Sequence, residues 1–232
     1  MAAKNKVTLG YWECRGLAHA SILMLEYLEK PYEFKNPSND LVGPPPTYAK
    51  TKWLEAKHEI LEGFDFPNLP YYEDPNLDIK ITQSNAILMH IGRTNNLFPK
   101  NEEVAQINGD LLRQEINDLF GLLTGLVYDP NAAGKIPNYV TNMKQRLGLL
   151  EKKFKSADGK WFLECGLTYV DFMAYEFLDH NRILFPTILD DLEALKEFMD
   201  EFENLPTIKA YLTSKRFKKF PLWSVRSFLG RF

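Results

Sequence analysis

Strand signals and helix signals are segregated along this chain, and that segregation constrains its fold more than any other feature. Residues 6–10 read as a short strand that ends on a glycine. Residues 17–28 follow with Leu17, Ile22, Leu23, Leu25 and Leu28 among alanines, an apolar pattern with helical character. Pro31 stops it, and Tyr32, Glu33 and Phe34 alternate in the manner of a second strand. Residues 53–60 have the look of a short helix. Residues 71–73 and 79–81 are strand-like and flank the turn Asp74-Pro75-Asn76, a hairpin pattern that gives antiparallel neighbours at one edge. Residues 84–91 start another helix, with the Ser84 hydroxyl available for a terminal amide. After the polar, turn-rich stretch 94–101 the strand signals nearly vanish. Residues 102–128, 139–154, 169–178 and 189–202 all carry helical spacing, with Pro130, Pro137, Pro186 and Pro206 between or beside them.

This order predicts α/β plus all-α architecture in two units: a βαβ-α-ββα unit over residues 1–93, a linker over 94–101, and a helical bundle over 102–232. A chain of 232 residues can bury two modest cores. Residues 36–47, with Pro44, Pro45 and Pro46 in succession, read as an extended surface loop. In the second unit Thr168-Tyr169-Val170-Asp171 precedes an apolar run. That spacing predicts a reciprocal cap between Thr168 and Asp171, with Leu167 and Phe172 at the staple positions.

Composition narrows the function classes. With 45% apolar residues and a net charge of -3, the chain is an ordinary globular one that does not favour nucleic acid or an anionic membrane as partner. No window approaches the roughly 18 apolar residues of a membrane span, and the first residues lack the apolar core of a secretory signal. Cys14 and Cys165 are too few for a disulfide framework and lack CxxC spacing, so a reduced, cytoplasmic setting is the default expectation. His19, His58, His90 and His180 are scattered and form no metal motif, so no metal site is expected. Each reads as a surface or satisfied helix residue. Nucleotide-binding glycine motifs and the GxSxG elbow are missing as well.

Two places carry polar groups suited to chemistry. Tyr11 follows Val7-Thr8-Leu9-Gly10 at the carboxyl end of a strand, where α/β sheets commonly place ligands. Its neutral hydroxyl can donate to a developing anion; a packed strand-end aromatic with an exposed hydroxyl is the plainer reading. Leu69-Pro70 leads into a strand, and Gln83-Ser84-Asn85 opens a helix whose amides suit a carboxylate. An ordinary serine cap accounts for Ser84 equally well.

Taken together, Leu9-Gly10-Tyr11-Trp12, Arg15-Gly16-Leu17-Ala18-His19, the run from Asp65 to Tyr71 and the run from Ile81 to Leu88 resemble mu-class glutathione transferases, and the resemblance covers nearly the whole chain. It implies a thioredoxin-like first domain, a helical second domain and a homodimer. Glutathione is the implied co-substrate, with no further cofactor. By that resemblance Tyr11 donates its hydroxyl hydrogen to the glutathione sulfur and favours thiolate over thiol. Trp12 and Leu17 line the entrance, Trp53 and Lys57 reach the glycyl end, and Asn68 and the Leu69 backbone, before a cis Pro70, hold the cysteinyl portion. Gln83 and Ser84 bind the γ-glutamyl end, with Asp118 arriving from the partner subunit, and Phe66 plugs into that partner. Phe120, Gly121, Thr124, Tyr128, Trp223 and Ser224 are the implied walls for a small hydrophobic electrophile. Phe120 and Gly121 depart from mammalian members, and an insertion at 41–47 reshapes the loop near the thiol. The implied activity is conjugation of electrophiles in detoxification, with hydroperoxide reduction beside it. A noncatalytic dimeric binder of apolar ligands and a glutathione-dependent isomerase are the alternatives.

Overall fold

The computed structural model describes residues 6–36, 50–99, 103–157 and 159–231. The loop expected over 36–47 lies outside these residues beyond Asn36, as does its 41–47 insertion, and so does the end of the expected linker. Strand β1 (Val7–Gly10) is buried along its whole length, as its apolar composition requires of a central strand. Helix α1 (His19–Tyr27) carries the chain over to β2 (Tyr32–Lys35), which pairs parallel with β1. Helix α2 (Lys50–Ile60) follows, and then β3 (Tyr71–Asp74) and β4 (Ile79–Thr82) form the predicted hairpin, closed by the Leu77 amide donating to the Asp74 carbonyl at 3.2 Å. Because β3 runs antiparallel to β1, the sheet is mixed, in the order β2-β1-β3-β4. Helix α3 (Ser84–Thr94) completes the βαβ-α-ββα unit read from sequence.

In the second unit every regular element among the described residues is a helix: α4 (Glu103–Val127), α5 (Ala132–Lys155), α6 (Tyr169–Leu184), α7 (Glu193–Glu203) and α8 (Pro206–Leu212). Helix α6 is its axis. Every residue from Tyr169 to Asn181 is buried, because α6 packs against α4 and α7 and also against α1 and α3 of the first unit. One apolar core therefore runs through both units, joining Val7, Leu9 and Leu23 to Leu119, Phe172 and Phe177.

Two expectations are corrected, and one helix lies where none was expected. Pro137, expected beside a helix, lies inside α5, which starts at Ala132. Its missing amide costs one ladder bond, but Ala132, Ile136 and Tyr139 pack on the core and hold the turn. Residues 189–192 are a turn, with α7 starting only at Glu193. Leu189 and Leu192 mimic helical spacing because both are buried there. Helix α8 is too short for its periodicity to register; Pro206 sits at its start, where a proline needs no amide partner.

The cap at Thr168 forms as predicted. Asp171 accepts from the Thr168 amide at 2.7 Å and its hydroxyl at 3.1 Å, and from the Phe162 amide at 2.8 Å. Thr168→Ala should cost about 1 kcal/mol and lower Tm by roughly 2–4 °C in a thermal melt, with no effect at Tyr11.

Candidate active site

Tyr11 continues β1. Its amide donates to the Lys35 carbonyl at 3.0 Å, so the sheet itself fixes its backbone. Its side chain is 6% exposed, and its oxygen accepts from the Leu17 amide at 3.2 Å. Gly16 makes that approach feasible. It has a φ of +44°, and a Cβ there would stand 2.6 Å from the Tyr11 hydroxyl. Burial pushes the phenol pKa well up and nearby Cys14 adds to this, with the Leu17 amide pulling the other way. Tyr11 is therefore a neutral O–H at physiological pH. Its oxygen already accepts one bond, and its hydrogen is free to be donated.

Around it stand most of the residues expected to meet glutathione. Trp12 meets Trp53 of α2 edge-on, with ring centroids 5.8 Å apart. Leu17 is exposed beside Tyr11, and Lys57 donates to the Pro67 carbonyl at 3.4 Å. The Leu69-Pro70 bond is cis. The exposed Asn68 accepts the Leu69 amide at 2.9 Å, so a strand-like peptide must compete with that side chain. Gln83, not Ser84, is the residue preceding α3. It holds a φ of +73°, and no side chain caps the helix. A non-glycine residue in that region is strained and typical of ligand clamps. The Ser84 hydroxyl is thus left over from capping, contrary to the plainer reading. Asp118 lies on the exposed face of α4, where Gln114 donates to it at 2.8 Å. Within one protomer it is Asn117 that reaches the Ser84 crevice, accepting from Asn85 at 2.9 Å.

The residues expected to meet an electrophile divide into a floor and a rim. Phe120 and Trp223 are buried, their ring centroids 6.3 Å apart. Tyr128 is 37% exposed and stands 6.1 Å from Trp223. It donates to the Ser224 hydroxyl at 3.0 Å. Gly121 is open, with no neighbouring atom near a built Cβ, and the Thr124 hydroxyl turns back to the Phe120 carbonyl at 2.7 Å.

Sequence reasoning missed what lies behind Tyr11. His19 and His180 are buried, and both bond to Glu176, at 2.6 and 2.8 Å. Arg15 meets the same carboxylate in a fork, at 3.0 and 2.7 Å, and pairs with Asp179 at 2.7 Å. Burial pushes the Glu176 carboxyl up, but Arg15, His19 and His180 more than offset this and hold it well below the usual carboxylate range. The one available signal was Glu176 inside the apolar run from Phe172 to Leu178. Burial pushes the Cys14 thiol up to about 12, so Cys14 is no rival nucleophile, and no disulfide joins it to Cys165. No cluster of metal ligands occurs among the described residues. A cavity of about 1000 Å³ lies on the far side of Cys14 and Arg15, between α1, β2 and α8. It does not contain Tyr11.

Comparison with known proteins agrees with this layout. Residues 7–93 match the family described as Glutathione S-transferase, N-terminal domain, and residues 117–215 match its C-terminal domain. Human Glutathione S-transferase Mu 2 is 40% identical over 97% of this chain and 98% of its own length. Human Glutathione S-transferase Mu 4 is 41% identical over 94% and 95%. Among solved structures, the glutathione S-transferase Blo t 8 superposes with a TM-score of 0.81 at 29% identity, over 97% of this chain and all of its own. The pi-class enzyme of Onchocerca volvulus gives 0.80 at 26%, over 96% of this chain and all of its own.

Proposed function

This chain belongs to the glutathione S-transferase family, in its mu class, and from that premise we propose that Tyr11 stabilises the thiolate of bound glutathione for attack on small hydrophobic electrophiles. The supporting observation is the buried, neutral Tyr11 hydroxyl, whose oxygen accepts from the Leu17 amide while its hydrogen stays available. A thiol of pKa near 8.5 is only a few per cent ionised at neutral pH, and lowering it by about two units needs roughly 2.7 kcal/mol. One charge-assisted hydrogen bond supplies about 1.5–3 kcal/mol. Tyr11 does this without ionising. The electrophile sits between the Phe120–Trp223 floor and Tyr128, whose hydroxyl donates to an epoxide oxygen or enolate once it leaves Ser224. Organic hydroperoxides are attacked by the same thiolate.

The γ-glutamyl end is held by Gln83 and Ser84 of one protomer and Asp118 of its partner. Two observations support a dimer-completed site: Asp118 is exposed and does not line its own Ser84 crevice, and Phe66 is 72% exposed. Burying Phe66 in the partner contributes about 1.5–3 kcal/mol per subunit. Phe66→Ser should therefore move sedimentation toward the monomer at micromolar concentration, and an unchanged dimer would remove Phe66 from that role. The function itself is tested by the ultraviolet absorbance of the bound thiolate across pH, together with turnover of aryl halides, enals and hydroperoxides. A bound thiol with an ordinary pKa sinks the reading of Tyr11. A normal thiolate with no turnover of any electrophile sinks the transferase reading.

A further inference from the structure

We propose that Glu176, on α6 in the helical unit, is a positioning residue for Tyr11 that acts through Arg15; this rests on Tyr11 being the thiolate stabiliser. Four polar contacts converge on its carboxylate, which is 1% exposed. Oε1 accepts from Arg15 Nε at 3.0 Å and faces His180 Nε2 at 2.8 Å, while Oε2 accepts from Arg15 Nη2 at 2.7 Å and faces His19 Nδ1 at 2.6 Å. A bidentate fork fixes the plane of a guanidinium as well as its distance. Asp179 takes the third nitrogen at 2.7 Å, so the whole Arg15 head is immobilised against one turn of α6.

The backbone of the same arginine is held from the opposite direction. The Arg15 amide donates to the Pro221 carbonyl at 3.0 Å, and the Gly16 amide to the Leu222 carbonyl at 2.8 Å. Between these anchors lies the segment that forms the seat of the Tyr11 hydroxyl: Gly16 against its ring and the Leu17 amide on its oxygen. Moving Arg15 moves that amide, and with it the direction in which the hydroxyl points. The same turn of α6 supports the other half of the site, because the His180 ring lies 5.2 Å from Trp223 and 5.9 Å from Phe120. A buried ion pair adds little net stability compared with apolar residues of the same shape, so orientation is what the cluster supplies.

The test compares wild type with Glu176→Gln, Glu176→Asp and the stability control Thr168→Ala, reading the thiolate absorbance of saturating glutathione across pH. Glu176→Gln should raise the bound thiol pKa by about one unit, a tenfold loss of thiolate below that pKa. Glu176→Asp, which keeps the charge but shortens the reach, should give a smaller rise. Under saturating electrophile, kcat should fall with the thiolate fraction while the glutathione KM moves less than about threefold. Thr168→Ala should leave the thiol pKa at the wild-type value. A folded Glu176 variant with the wild-type thiol pKa overturns the proposal; if Glu176→Gln does not fold, Glu176→Asp decides. If wild type itself shows no acidified thiol, the reading of Tyr11 fails and this proposal falls with it. If Tyr11→Phe raises the pKa and both Glu176 variants do not, only the role of Glu176 is lost.

Discussion

Replacing Tyr11 with phenylalanine should return the bound glutathione thiol from a pKa of about 6.5 to about 8.5, the value of an unassisted thiol. The ring and its packing stay, because the side chain is buried among Leu9, Ala18 and their neighbours and only the oxygen is removed. What goes is the hydroxyl proposed to donate to the sulfur, along with a partner for the Leu17 amide. At pH 6.5 the thiolate fraction drops from about one half to about one per cent, so kcat/KM should fall roughly 50-fold. The sign with pH follows directly. Rate rises as the thiol ionises, so the wild-type profile climbs around pH 6.5 and the variant's climbs about two units later, and the deficit narrows at alkaline pH. Because burial holds the Tyr11 phenol well above neutrality, its own ionisation adds no step in this range. Kinetics and the absorbance titration should agree. A variant with the wild-type profile would falsify the assignment.

Gly16→Ala should be at least as damaging although it touches no substrate. The new methyl group would lie 2.6 Å from the Tyr11 hydroxyl oxygen and 2.7 Å from a ring carbon, closer than atoms pack. The segment cannot retreat. Its amide is bonded to Leu222, and the arginine before it is fixed at both backbone and side chain. Tyr11 must swing instead, and a displacement on the order of 1 Å can cost about 100-fold in rate. Overpacking of this kind also costs roughly 1–3 kcal/mol, and alanine at a φ of +44° adds strain. The companion is Gly148→Ala in α5, where a Cβ meets no atom within 4 Å. There the helix should gain about 0.5–1 kcal/mol and activity should be unchanged. Equal activity in the two variants would show that Tyr11 tolerates displacement.

Local signals proved legible where each element depends on its own residues. The strand ending at Gly10, the hairpin across Asp74 and the Thr168–Asp171 cap were all readable because strand alternation, turn residues and capping spacing act within a few positions. Tyr11 was visible as a strand-end hydroxyl. The φ of +73° at Gln83 was not, since nothing in a glutamine announces a strained backbone. His19 and His180 read as scattered surface or satisfied helix residues, yet both bond to one carboxylate, 157 positions away in the first case and four in the second. Such a cluster exists only once α1 packs on α6. Pro137 failed for the opposite reason: a strong local rule yielded to tertiary packing.

The two carbonyls that hold Arg15 and Gly16 belong to Pro221 and Leu222, and this has a consequence during synthesis. Domains form as units, N-terminal first, while the ribosome is still adding residues. The sheet with Tyr11 at its strand end ends with β4 at Thr82, so it can be complete 139 residues before Pro221 of its clamp is translated. In that interval a nascent chain holds the peptide-binding fold but not a seated hydroxyl. The seat of Tyr11 is complete only once α6 and the segment around Leu222 pack on the loop behind it.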